Sequence, residues 1–154
     1  ILEALKKDLE FIGDESTLVL ILMPTAPFRC THKLASIMNN YRVSNDERHT
    51  IVSVAKSKIP KHLMLTKVDD LYEFDVRPES VKDTLKTRYN KDYFCCDNFI
   101  IDTLANFRRQ HFLFSHKPRA VEVTEIESVS IDTELDFKIA QLLYPDWKNK
   151  IDQG

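Results

Sequence analysis

The chain has 154 residues, 43% of them hydrophobic and 30% charged, the profile of one globular domain with its own core rather than a disordered or fibrous segment. Its formal net charge of −2 comes from 22 basic and 24 acidic residues interleaved along the chain; that leaves no broad positive face for a phosphate backbone, and nucleic acid is not expected as a partner. The cysteines Cys30, Cys95 and Cys96 form no CxxC or Cys/His pattern, which disfavours structural disulfides and zinc, and no apolar run reaches the ~20 residues of a bilayer span, so the expected location is the cytoplasm.

The chain opens on Ile1, Leu2, Leu5, Leu9 and Ile12 at helical spacing, which reads as a start in mid-domain. Thr17–Met23 (TLVLILM) is an unbroken branched-apolar run, the pattern of a central strand buried on both faces. Pro24–Arg29 (PTAPFR) follows as loop. Thr31 is then positioned to cap a helix whose inner face carries Leu34, Ile37, Met38 and Tyr41. Thr50–Ala55 (TIVSVA) reads as a second strand, so strand, loop, helix and strand follow in the order of a parallel sheet covered by helices.

The middle breaks this rhythm. Leu63–Thr66 and Leu71–Phe74 read as short antiparallel strands about an Asp-rich turn, and Ser80–Arg88 as a short helix, together an insertion at the sheet edge. Phe99–Ile101 returns to the sheet, Leu104–Gln110 is a further helix, and Ala120–Val123 is an edge strand. The last helix covers Asp132–Leu143, with Leu135, Ile139, Leu142 and Leu143 on one face and a stop at Pro145. The fold class is therefore α/β, with residues 1–154 forming one domain.

Two segments carry motifs, LILMPTAPFR (Leu20–Arg29) and ESVSIDTELDFKIAQ (Glu127–Gln141). Together they resemble the acylneuraminate cytidylyltransferase family, the CMP-sialic acid synthetases and their relatives, in which an apolar strand runs into a QPTSPLR-like loop and a later IDTELDF-like segment opens a helix. The resemblance covers nearly the whole chain in order and spacing and corresponds to the C-terminal two-thirds of such an enzyme. It implies a nucleotide-diphospho-sugar transferase-like fold, αβα layers around a mainly parallel mixed sheet. The N-terminal strand and phosphate loop of that fold are expected to be missing here, in keeping with a count of two glycines, because phosphate cradles use glycine-rich backbone. It also implies a homodimer, paired through the inserted segment at about residues 63–88.

The implied reaction is attack by a hydroxyl of a sialic-acid-like keto-sugar acid on the α-phosphate of CTP, releasing pyrophosphate. Such transfer is accelerated by positioning and by neutralising phosphate charge, normally with Mg²⁺ held by carboxylates. Asp132 is the expected Mg²⁺ ligand, since magnesium completes its shell with water and phosphate oxygens. The family often has a further acid two residues upstream, where this chain has Ser130. Asp132 also precedes a helix, where aspartate is a favoured N-cap, and Asp136 follows Thr133 at capping-box spacing, so cap and ligand are both open to Asp132.

Thr25 and Arg29 are expected over the carboxyl end of the first strand, where open α/β sheets bind ligands. Arg29 either grips a carboxylate or phosphate through its forked guanidinium or pairs with the following helix. Met23 stands where the family uses a glutamine to hold the sugar, and a thioether donates nothing to a hydroxyl. Arg88 lies where the family has an Arg-Gln pair near the sugar, with Tyr89 replacing the glutamine; its other reading is a charge ending a helix. Cys95 and Cys96, among aromatic residues, read as small core residues, and His111 and His116 as structural.

Two functions of different class follow. One is a CTP-dependent cytidylyltransferase, incomplete in this chain alone, favoured by Asp132, Arg29 and the PTAP loop. The other is a non-catalytic relative that keeps the fold to bind a sugar or a partner, favoured by Met23, Ser130, Tyr89 and the scarcity of glycine.

Overall fold

The computed structural model describes residues 14–44, 49–59, 64–74, 92–109, 115 and 117–152. The opening helix expected over Ile1–Ile12, the helix expected over Ser80–Arg88, and His111 and His116 lie outside these residues. The chain divides into two compact units, residues 1–54 with 95–154, and residues 55–94.

The apolar runs become strands of one sheet, most of it in the first unit. These are β1 (Leu18–Ile21), β2 (Ile51–Lys56), β5 (Tyr93–Thr103) and β6 (Arg119–Glu122), side by side in the order β1-β5-β2-β6. β1 pairs antiparallel with β5, setting Leu20 opposite Ile101, whereas β2 pairs parallel with β6, setting Val52 opposite Ala120. The sheet is thus mixed, and β6 is an edge strand, as its short exposed sequence indicates.

Five residues of β2 are buried in succession, Ile51 to Ala55, as expected of a strand with both faces covered. Val52 and Val54 join Ile100, Leu104 and Phe107 in a core cluster against which Val19 and Ile21 pack. Leu104 and Phe107 come from a short helix, α2 (Leu104–Arg109), which starts directly at the end of β5. Its first amides are satisfied from outside the helix: Leu104 donates to the carbonyl of Thr17 at 2.8 Å and Ala105 to that of Glu15 at 3.1 Å, answering the orphan donors of a helix start. The fully buried Asp102 carboxylate accepts from the Thr50 hydroxyl at 2.6 Å, the Thr103 amide at 2.7 Å and the Asn106 side chain at 2.6 Å. A buried charge needs such partners.

Helix α1 (Thr31–Ser44) buries Leu34 and Tyr41, the face its spacing predicts. Its cap position is Cys30, whose carbonyl accepts from Leu34 at 3.1 Å, so Thr31 is the first helical residue rather than the cap. Helix α3 (Glu134–Asp152) does not stop at Pro145. The proline removes one intrahelical donor, but Trp147 beyond it packs edge-on against Phe28, ring centroids 5.7 Å apart, and this tertiary contact carries the helix past the break.

In the second unit β3 (Leu65–Val68) and β4 (Leu71–Phe74) form an antiparallel hairpin. Its turn holds Asp69 at φ 54°, a left-handed position that aspartate tolerates better than most residues. The Asp-rich turn was legible in the sequence. Among the described residues, no helix is long and apolar enough to cross a membrane.

Candidate active site

The loop after β1 is built by its prolines and closed by its arginine. Met23 to Ala26 makes a turn in which the Ala26 amide donates to the Met23 carbonyl at 3.1 Å, with Pro24 at the position whose fixed φ suits such turns. Ala26 and Phe28 point into the core, at 2% and 1% exposure, which anchors the loop and leaves Thr25, just ahead of them, half-buried. Arg29 folds back over the loop: its Nε donates to the Asn98 carbonyl at 2.8 Å, and its Nη2 donates to the Met23 carbonyl. Two of its donors are thus spent on backbone, and Nη1 has no partner among the described residues. The expected pairing with the following helix is not what the guanidinium does. Partial burial lowers the guanidinium pKa from its ordinary value.

The second motif lies against this loop. The Ile131 amide donates to the Thr25 carbonyl at 2.8 Å, so the PTAPFR and IDTELDF segments are joined by backbone, with Asp132 one residue from the junction. The cap of α3 falls to Thr133. Its hydroxyl accepts from the Asp136 amide at 3.2 Å, while the Asp136 carboxylate accepts from the Thr133 amide at 2.8 Å, the Thr133 hydroxyl at 2.7 Å and the Asp132 amide at 3.2 Å. These bonds, the Thr133 hydroxyl first, hold the Asp136 carboxyl below its ordinary pKa. This reciprocal capping box leaves the exposed Asp132 carboxylate out of the cap, with no hydrogen bond among the described residues.

Sequence reasoning missed the residue that holds the two motifs in place. Asn98, 2% exposed on β5, donates from its amide to the Phe28 carbonyl at 2.7 Å and to the Glu127 carbonyl at 2.6 Å. One side chain therefore clamps the end of the first loop to the approach of the second. The available signal was an asparagine set in an apolar strand (CCDNFII), because a buried amide must find partners. Glu127 is a second such residue. It is 4% exposed, accepts from the Thr124 amide at 2.8 Å, and forms an ion pair with Lys33 at 3.2 Å. Beside Asn98 on the strand, the exposed Asp97 accepts from the Ser130 hydroxyl at 3.4 Å, which brings another carboxylate to the segment preceding Asp132. Of the cysteines expected in the core, Cys96 is buried and Cys95 is exposed.

The structure thus brings together Met23, Thr25, Arg29 and Asp132; Arg88 lies outside the described residues. No group of three or more His, Cys, Asp or Glu gathers into a metal cage among the described residues. The donors present are one free carboxylate with a second carboxylate and a hydroxyl nearby. Their chemistry, hard oxygen donors, is of the kind Mg²⁺ uses when water and phosphate oxygens fill the rest of its shell.

Among solved structures, 4-diphosphocytidyl-2C-methyl-D-erythritol synthase from Anaerococcus prevotii DSM 20548 matches with a TM-score of 0.57 over 94% of this chain. The chain shares that protein's α/β fold. The two sequences are 16% identical, so the likeness speaks for fold alone, and the chain spans 63% of that protein's length. No family model and no curated protein matches the chain.

Proposed function

We propose that this chain is the acceptor-side part of a cytidylyltransferase that transfers CMP from CTP to a sialic-acid-like keto-sugar acid, releasing pyrophosphate. Two things support CTP-dependent nucleotidyl transfer in general: the fold shared with a synthase whose name denotes a diphosphocytidyl product, and the two motifs. The keto-sugar acid rests on the motifs alone. The observation that carries the reading is the Ile131–Thr25 backbone bond, which sets a free carboxylate beside a proline-held loop.

In this reading Asp132 holds Mg²⁺, which when bound supplies positive charge to the phosphates of CTP. Arg29, through its remaining Nη1 donors, steadies a carboxylate or phosphate, Thr25 lines the acceptor pocket, and Met23 closes it with an apolar wall. Arg88 is a further acceptor contact carried by the motif resemblance. Two copies pair through residues of about 63–88. The chain alone is expected to be inactive, because its two glycines, Gly13 and Gly154, offer no backbone cradle for a triphosphate.

The test is pyrophosphate release from CTP with a panel of keto-sugar acids, using this chain alone and the chain within its natural polypeptide, each with Asp132→Ala. Activity only in the longer form, lost in Asp132→Ala without loss of stability, is the expected result. Turnover that survives Asp132→Ala would remove the metal role. The competing non-catalytic reading draws on the spending of Arg29 on backbone carbonyls and predicts sugar binding without turnover in both forms.

A further inference from the structure

A cavity lies in the first unit, away from Asp132. Its volume is about 300 Å³, and its walls include Cys30, His32, Lys33, Trp147, Lys150 and Ile151. Trp147 lies some 20 Å along α3 from the Glu134 end at ~1.5 Å rise per residue, so one small ligand does not span both places. The volume is at the lower end of the range of small-molecule sites, which join mostly apolar walls to a few placed polar groups.

The charges at this cavity are unequal. Lys33 is neutralised by Glu127, its partner at 3.2 Å, and among the described residues Glu127 is the one acid on the lining. Lys150, also on the lining, has no acidic partner among the described residues, and the His32 imidazole, another lining group, is exposed. The Trp147 ring, already edge-on to Phe28, is half-buried and offers a flat apolar surface.

We infer that this cavity is a binding site for a small planar monoanion, an aromatic carboxylate whose ring lies against Trp147 and whose carboxylate meets Lys150 and His32. Ring contact supplies the apolar burial, and the Lys150 ammonium, without an acidic partner among the described residues, supplies a charge-assisted bond. The assignment stands whether or not the chain belongs to a cytidylyltransferase.

The experiment uses Trp147 as its own reporter, since it is the chain's single tryptophan. Fluorescence excited selectively at the indole is titrated with benzoate, with acetate and benzyl alcohol as controls for charge alone and ring alone. A ligand of this size is expected to bind with a dissociation constant of about 1 mM. Each control should bind about tenfold more weakly or worse, as should benzoate to the double variant His32→Gln, Lys150→Gln. Both substituted residues are exposed, and far-UV circular dichroism checks that the variant is folded. Alkylation of Cys30 by iodoacetamide, mapped by mass spectrometry, gives a second readout on the cavity lining and should slow as benzoate saturates. The inference is overturned by the absence of a saturable signal below ~10 mM benzoate, by equal binding of benzyl alcohol, or by unchanged binding in the double variant.

Discussion

Replacing Asn98 tests whether one buried amide holds the two motif segments together. Asn98→Ala removes both side-chain donors and leaves the carbonyls of Phe28 and Glu127, now 2.7 Å and 2.6 Å from the amide nitrogen, without partners at a site that is 2% exposed. Each stranded buried acceptor costs about 1–3 kcal/mol, so the loss from two is roughly 2–6 kcal/mol. For a chain of this size that lowers the melting temperature by about 5–15 °C. Asn98→Asp is more damaging at neutral pH, because a carboxylate then faces two carbonyl oxygens at those distances. Its ionised form is disfavoured in the folded state, which raises the folded pKa of the introduced carboxyl above the unfolded value of about 3.9. The penalty is therefore present at neutral pH and shrinks as pH falls through the raised folded pKa toward the unfolded one. Urea denaturation of the three proteins measures the energies, and hydrogen exchange at the Ile131 amide, which donates to Thr25, reports whether the motifs have separated. A loss below ~0.5 kcal/mol in Asn98→Ala, in the range of neutral surface changes, would refute the clamp.

Other consequences are as direct. Thr133→Ala removes the cap of α3 and should cost about 1 kcal/mol in chemical denaturation. Because hydrogen bonds from Thr133 hold the Asp136 carboxyl below its ordinary 3.8, its support is present at neutral pH and is lost as pH falls through the lowered value; an acid titration followed by circular dichroism should show the wild-type advantage over Asp136→Ala disappearing there. Lys33→Met strands the buried Glu127 carboxylate and should destabilise by about 1–3 kcal/mol, discounted because Lys33 is partly exposed, whereas Glu127→Gln, which keeps an acceptor for Thr124, should cost less in the same measurement. Ser130→Asp sets a carboxylate beside Asp97, now 3.4 Å from the Ser130 hydroxyl; its melting temperature should fall without divalent cation and recover with Mg²⁺ more than wild type does.

TIVSVA was legible because burial on both faces leaves an unbroken apolar run, whereas TLVLILM, expected as a central strand by the same pattern, is half-buried and ends the strand order β1-β5-β2-β6 among the described residues. Junctions decided by distant contacts were not legible. Pro145 reads as a helix stop because the proline rule is local, while the contact that overrides it joins Trp147 to Phe28, far apart in sequence. Asp132 and Thr133 are both acceptable caps by residue type, and only the geometry of Asp136 decides for Thr133. Asn98 was invisible as a clamp because its partners are main-chain carbonyls 70 and 29 residues away, and a carbonyl has no letter in a sequence.

That last point bears on how Arg29 is read. A conspicuous arginine in a ligand loop invites a catalytic role, yet here Nε and Nη2 go to the carbonyls of Asn98 and Met23. Through Asn98 the same guanidinium is one bond removed from the clamp on Phe28 and Glu127. Its planar fork meets two acceptors at fixed angles, which a lysine ammonium does not reproduce, so Arg29→Lys loosens the loop whether or not a substrate ever touches it. Loss of activity in that variant is therefore ambiguous taken alone. If exchange at the Ile131 amide stays slow while turnover falls, the effect belongs to ligand contact through Nη1. If exchange quickens in step with the loss, the arginine acts by shaping the loop, and Asp132 loses its place beside Thr25 for the same reason.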